Sequence, residues 1–229
     1  MASQTVAAVE PVSYSAVYKA TSRGLSATAH RSLERRDDQQ YVLENTLNVT
    51  VAGARLGRIK EISIFTWTNN RLQPVAYRYS QSGISRKRER IQFDWKNNSA
   101  TSTEDDESWT LKLTPNVIDK LGYQLLLRQE LQHTDNTQLE FQIIDTHEIE
   151  THRFRVAGRE LLETPLGKLN TVKIERVADG DSKRSTAFWL AADWNMLLVR
   201  LVQTSRSGAV TELMLEQAVV GNRELTALP

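Results

Sequence analysis

Residues 58–95 read RIKEISIFTWTNNRLQPVAYRYSQSGISRKRERIQFDW, and their periodicity decides the fold. Ile62 and Ile64 fall on one side of an extended chain, Phe65 and Trp67 on the other. Asn69-Asn70 supplies a turn, because asparagine tolerates a left-handed backbone. Val75, Tyr77 and Tyr79 alternate with Ala76, Arg78 and Ser80, and Ser82-Gly83 marks a second turn. Ile91, Phe93 and Trp95 then alternate with Arg90, Gln92 and Asp94. Period-two alternation is what a sheet with one buried and one wet face requires, so the stretch predicts three strands of a β-meander.

The same reading extends outward. On the N-terminal side Tyr14, Ala16 and Tyr18 begin a strand, and Leu25–Arg35 forms another with small residues, Ala27 and Ala29, on one side. Arg35-Arg36-Asp37-Asp38 is a charged hairpin tip. Tyr41, Leu43, Leu47, Val49 and Val51 keep to odd positions along a long strand, and Gly53 and Gly57 flank a bend. On the C-terminal side Ala100–Thr103 is a short polar strand, and Trp109, Leu111 and Leu113 belong to the next. Leu139–Ile143, Thr151–Arg159, Leu169–Arg176, Ser185–Leu190, Met196–Gln203 and Val210–Gln217 read as further strands, with a polar loop at Asp179-Gly180-Asp181.

One helix interrupts them. Thr114 is the expected cap and Pro115 the first helical residue, where its missing N–H costs nothing. Val117, Ile118, Leu121 and Leu125 recur at helical spacing, predicting a helix over Pro115–Gln132 that buries this face on the inside of the sheet. The fold class is mainly β, a curved antiparallel sheet or incomplete β-barrel of about a dozen strands with one packed helix. Residues 1–11 read as a flexible arm, 12–220 as a single barrel-like domain and 221–229 as a flexible tail.

Composition limits the function classes. The chain has 229 residues, 29 basic and 28 acidic, for a net charge of +1, which gives no global attraction to nucleic acid or to an anionic membrane. No cysteine is present, so disulfides, thiol catalysis and thiolate metal sites are excluded. No run approaches the roughly 20 apolar residues of a spanning helix. The polar, Ala-rich start fits a mature chain whose export signal has been removed.

No catalytic constellation stands out: there is no G-x-S-x-G elbow and no nucleotide-binding glycine motif, and no cofactor is expected. Asp145, His147, Glu148, Glu150 and His152 form the densest metal-like cluster, but H-E-I-E-T-H is one residue too long for the helical zinc motif. Its two histidines point to opposite faces of a strand, so a polar turn is preferred to a metal-assisted hydrolase using His147, Glu148 and His152. The basic run Arg86, Lys87, Arg88 and Arg90 could meet phosphate or lipid headgroups, yet the acidic run Glu104–Glu107 lies within hairpin distance and would neutralise it.

The aromatic set is the remaining candidate. One helix does not fill a large curved sheet, and larger barrels enclose cavities. The expected ligand-lining residues are Trp67, Tyr77, Phe93, Trp95, Trp109, Leu121, Leu125 and Trp189, holding a lipid or acyl chain.

EISIFTWTNNRLQPVAYRYSQSG, RKRERIQFDW, the Thr-Pro-led segment ending LLLRQEL, ELLETPLGKLNTVKIERV and FWLAADWNMLLVRLVQ together resemble the domain of unknown function 3108 family across roughly Tyr14–Gln217. The resemblance implies an exported, periplasmic, non-enzymatic protein of Gram-negative bacteria, with a wrapped sheet similar to the lipoprotein carriers LolA and LolB. Many members have a proline in the segment matching Trp194–Leu198, which this chain lacks. A lipid or lipoprotein acyl chain is the partner so implied. Other envelope proteins, bound at exposed sheet edges, are the alternative.

Overall fold

Alternation persists through the organising stretch: Phe65, Trp67, Tyr77, Ile91 and Phe93 are buried, while Ile62 and Ile64 are only half-buried on the opposite face. The structure, a computed structural model, describes residues 10–36, 39–51, 54–68, 70–83, 85–133, 136–178 and 184–226. Asn69, the Asp37-Asp38 tip, Gly53, the Asp179-Gly180-Asp181 loop, residues 1–9 of the expected arm and 227–229 of the expected tail lie outside the described residues.

The chain runs β1 (Tyr14–Ser22), β2 (Leu25–Arg35), β3 (Gln40–Val51), β4 (Ala54–Thr68), β5 (Arg71–Gly83), β6 (Lys87–Asp94), β7 (Ser99–Glu104) and β8 (Glu107–Lys112). After α1 (Gly122–His133) come β9 (Gln138–Asp145), β10 (Glu148–Thr164), β11 (Gly167–Arg176), β12 (Ser185–Ala191), β13 (Leu197–Thr204), β14 (Val210–Val220) and the short β15 (Arg223–Glu224). They form one antiparallel sheet in the order β8-β7-β6-β5-β4-β3-β2-β1-β14-β13-β12-β11-β10-β9, with β15 added to β14. Two meanders, β1–β8 and β9–β14, are thus joined where β1 pairs β14. The outer edges, β8 and β9, do not pair, so the barrel is incomplete. Within the segment read as a loose tail, β15 pairs β14 and Leu225 is buried.

Bulges let long strands curve. Between Ile64 and Phe65 the register against β5 shifts, so Phe65 faces Pro74 while Ile64 faces Ala76. At the far end of the same pair Gly83 lies opposite Gly57 with φ +114°. A Cβ there would stand 2.2 Å from the Leu56 carbonyl oxygen, so only glycine permits this closeness.

The helix corrects the sequence reading. It begins at Gly122, not Pro115. Asn116 takes a left-handed φ of +66°, which breaks any helix started at Pro115. The backbone of 113–121 instead leaves the β7–β8 hairpin and bonds to the β9 edge in parallel at Ile118. Leu113 N–H donates to the Asn98 carbonyl (2.9 Å), Ile118 N–H to the Gln142 carbonyl (2.9 Å), and Ile144 N–H to the Ile118 carbonyl (2.9 Å). Thr114, the expected cap, gives its hydroxyl to the Gln142 side chain. Val117 and Ile118 are still buried, but ahead of the helix, with Ile118 bridged to β9; Leu121 is buried from the turn that opens the helix and Leu125 from the helix itself.

The cap is Asp119. Its Oδ1 accepts the Leu121 N–H (2.9 Å) and the Gly122 N–H (2.7 Å), and its Oδ2 accepts the Ser63 hydroxyl (2.7 Å) from β4. The residue is 0% exposed. Burial raises its pKa; the three donors oppose this without reversing it, and the nearby Glu61 charge adds to the rise. Next to it Lys120 reaches across the seam to Glu89 on β6 (2.5 Å) and to Asp145 on β9 (2.9 Å), and Lys87 joins Glu89 to Glu104 (2.7 and 3.2 Å). The basic and acidic runs therefore meet in part, as cross-strand charge pairing predicts.

Two predictions follow from this seam. Asp119→Ala strands two backbone N–H groups and the Ser63 hydroxyl, and should cost about 2–4 kcal/mol in a denaturant melt. Asp119→Asn keeps the accepting oxygen without a charge and should leave the protein at least as stable as wild type at pH 7. Because the folded-state pKa of Asp119 is raised, the wild type binds the proton more tightly when folded and loses stability as pH rises through that shifted value. The advantage of the Asn variant should therefore shrink on acidification. Lys120→Met should cost about 1–3 kcal/mol at pH 7. Burial alone would raise the Asp145 pKa, but Lys120 outweighs it and holds the carboxyl below its ordinary range. That contribution is present above the ordinary carboxylate pKa and is lost as pH falls through the lowered one, so the wild-type and Lys120→Met curves should converge in acid.

Candidate functional site

Strand alternation aims every second residue of the sheet at its concave side, and on β1 and β2 many of these residues are small: Ala16 and Ala20, Ala27 and Ala29. Small side chains leave room that one short helix does not fill. The result is a hollow of about 300 Å³ between α1 and the inner faces of β1–β4 and β10–β14. That is at the lower end of the roughly 300–1,000 Å³ usual for ligand sites.

One wall is apolar: Tyr18, Ala29, Phe188, Leu198, Leu201 and Leu213. Tyr18 is fixed by donating its hydroxyl to the Leu198 carbonyl (2.9 Å). The other wall is polar, with Arg31, Asn45, Glu61, Gln124, His152 and Arg176. Gln203, exposed, and Arg176, half-buried, mark the side open to solvent.

The polar wall has an ordered centre. Arg31, Asn45 and Glu61 stand side by side on β2, β3 and β4 in one cross-strand row. Asn45 Nδ2 donates to Glu61 Oε2 (3.0 Å), and the Tyr77 hydroxyl donates to Glu61 Oε1 (2.9 Å). Burial and then the Glu61 charge push the Tyr77 hydroxyl far above its ordinary pKa, which keeps it a donor. Arg31 is only 8% exposed. Its Nη1 donates to the neutral Gln124 Oε1 (2.7 Å), while its Nε has no hydrogen-bond partner among the described residues. A buried donor left this way costs about 1–3 kcal/mol, more when charged. Burial opposes the Arg31 charge, but the Tyr14 and Tyr18 hydroxyls and the Glu61 carboxylate outweigh it and hold the guanidinium above its ordinary pKa.

On the facing meander Glu150 bonds the His152 ring Nε2 (2.7 Å) and lies 3.8 Å from Arg176. Tyr123 of α1 stacks on Phe154 (5.4 Å between ring centres), and burial pushes its hydroxyl up to about 12. Among the described residues no group of three or more His, Asp or Glu is placed to hold a metal ion. His147 lies instead against Trp109, 5.7 Å between ring centres, bringing the β8 edge to the β9–β10 turn.

The aromatic and leucine residues picked from sequence sit elsewhere. Trp67, Tyr77, Phe93, Leu121 and Leu125 are close-packed core. Trp95 stacks on Phe93 and donates its indole N–H to the Pro74 carbonyl (2.7 Å). Trp109 is half-buried on the edge strand β8. Trp189 lies between the Lys173 and Arg200 cations (5.3 and 4.7 Å) and gives its N–H to Glu160. None of the eight lines the hollow. What sequence reasoning passed over is Arg31 and Glu61, while His152, read there as part of a metal-like cluster, lines the hollow instead. The available signal was a charge at a position in register with buried residues: Arg31 with Ala29 and Leu33, Glu61 with Ser63 and Phe65.

Among solved structures, a β-barrel-like protein of domain of unknown function DUF1849 from Brucella abortus is similar over 93% of this chain and 99% of its own, with TM-score 0.62 and 10% identity. Two more distant structures are a candidate exported protein with YmcC-like fold from Bacteroides fragilis (TM-score 0.39, 8% identity, 90% of this chain and 95% of its own) and a candidate lipoprotein from Parabacteroides distasonis (TM-score 0.34, 13% identity, 90% and 95%). No curated protein matches the chain. The pattern of the protein of unknown function family DUF3108 matches residues 13–215, and the chain belongs to that family.

Proposed function

We propose that the protein is a non-enzymatic component of the Gram-negative cell envelope, located in the periplasm, that holds a lipid or other acyl amphiphile in the hollow of its unclosed sheet. The observation that carries this reading is the hollow itself, with an apolar wall of Tyr18, Phe188, Leu198, Leu201 and Leu213 facing a polar one. An alkyl chain gains about 0.8 kcal/mol per buried CH₂, so such a wall needs no directional contact to retain one. The ionisable groups nearby are engaged with one another, Glu61 with Asn45 and Tyr77, Glu150 with His152 and Arg176, which supports holding over catalysis.

Native mass spectrometry of protein isolated from the envelope fraction should show an amphiphile adduct. The adduct should be lost in Leu201→Trp, which fills the hollow and leaves circular dichroism unchanged. Only the bare mass, under gentle extraction and in both proteins, would defeat the proposal and leave the exposed β8 edge as a surface for other envelope proteins.

A further inference from the structure

We infer that the hollow selects its occupant by an anionic group, a carboxylate or a phosphate, seated on Arg31, with the alkyl portion along Phe188, Leu198 and Leu201. This rests on the holding role proposed above and names the chemistry of the ligand.

The inference starts from a buried donor that has no hydrogen-bond partner among the described residues. A guanidinium is the most hydrogen-bond-demanding cation a protein has, with five donors in a fixed fork. Arg31 is more than nine-tenths buried, bonds through Nη1 to a neutral amide and has the neutral Tyr14 and Tyr18 hydroxyls beside it, while its Nε has no hydrogen-bond partner among the described residues. A carboxylate is close at hand in the same row, but Asn45 stands between Arg31 and Glu61 and takes one Glu61 oxygen, while Tyr77 takes the other. The intervening strand β3 therefore holds anion and cation apart, with Asn45 between them. Engagement of both Glu61 oxygens by donors also reduces its repulsion of an incoming anion. A charge kept buried and incompletely paired on a cavity wall is a binding group awaiting a complement, and carboxylates and phosphates are the groups whose geometry matches the guanidinium fork.

The surroundings fit the same ligand. Arg176 adds positive charge on the facing wall, 3.8 Å from Glu150. Phe188, Leu198 and Leu201 lie on β12 and β13 and Arg31 on β2, so head and tail contact different strands of the lining. The mouth at Gln203 is open to solvent, so a long chain need not be swallowed whole.

Calorimetric titration with three probes sharing one chain tests this: palmitate, palmitoyl lysophosphatidate and uncharged monopalmitoylglycerol. At least one anionic probe should bind about tenfold or more tightly than the uncharged one, the scale of a charge-assisted hydrogen bond. Which of the two is tighter identifies carboxylate or phosphate as the source. Arg31→Met should reduce the anionic probe to the level of the uncharged one and leave the latter unchanged. Arg31→Lys, which keeps the charge but loses the fork, should fall between. Should Arg31→Met not fold, the wild-type preference and the Lys variant still decide. Equal binding of all three probes, indifferent to either substitution, would overturn the role of Arg31 while leaving the holding role intact. No binding of any probe would remove both.

Discussion

Two antiparallel meanders share one edge, β1 with β14, and leave the other pair of edges, β8 and β9, apart. Everything inside depends on how that gap is bridged. A buried carboxylate anchors the segment beside it: Asp119 ties the end of that segment to the start of α1 and, through Ser63, to the centre of β4. Burying a carboxylate is unfavourable, and its raised pKa records the penalty. The three donors it collects fix the helix entrance in position and direction. Lys120, one residue on, fastens the same point to both meanders through Glu89 and Asp145.

Fixing α1 at one end of the concave face determines where the interior is packed and where it is not. Around the seam the core is dense, with Val117, Ile118, Leu121, Leu127 and Ile143 nearly inaccessible. Away from it the helix presents Tyr123 and Gln124 to a space bordered by Tyr18 of β1 and Ala29 of β2, and packing gives way to the hollow. Arg128, further along the helix, lies over the Tyr14 ring at 4.5 Å and donates to the Asn195 carbonyl, closing the interior on that side. The incomplete barrel leaves the hollow reachable from the Gln203 side.

The strands were legible because their evidence is local. Leu25–Arg35 runs over the same residues in sequence and structure, and the meander from β4 to β6 is plain from alternation alone. The helix start was not legible, because Val117 and Ile118 suit a helix and an extended segment equally; only the left-handed Asn116 and the tertiary bond from Ser63 to Asp119 choose between them. The hollow was harder still. Large aromatic residues attract attention as ligand contacts, but Trp67, Tyr77 and Phe93 are large because they fill a core. Space comes beside the opposite kind of residue, such as Ala29, and the charge placed out of pattern there is Arg31. Which polar residues face one another across the hollow depends on the β1–β14 pairing between the two ends of the chain, which no local window contains.

The Arg31 Nε–H group can be observed directly. In a ¹⁵N–¹H spectrum of arginine side chains, assigned with the Arg31→Lys variant, titration with palmitate or palmitoyl lysophosphatidate should move the Arg31 resonance to the shift of a hydrogen-bonded guanidinium and slow its exchange with water. The uncharged monoacylglycerol should leave it in place. An Arg31 resonance unmoved by a bound anionic amphiphile, with perturbed signals clustering on the outer face of the sheet, would contradict an interior site.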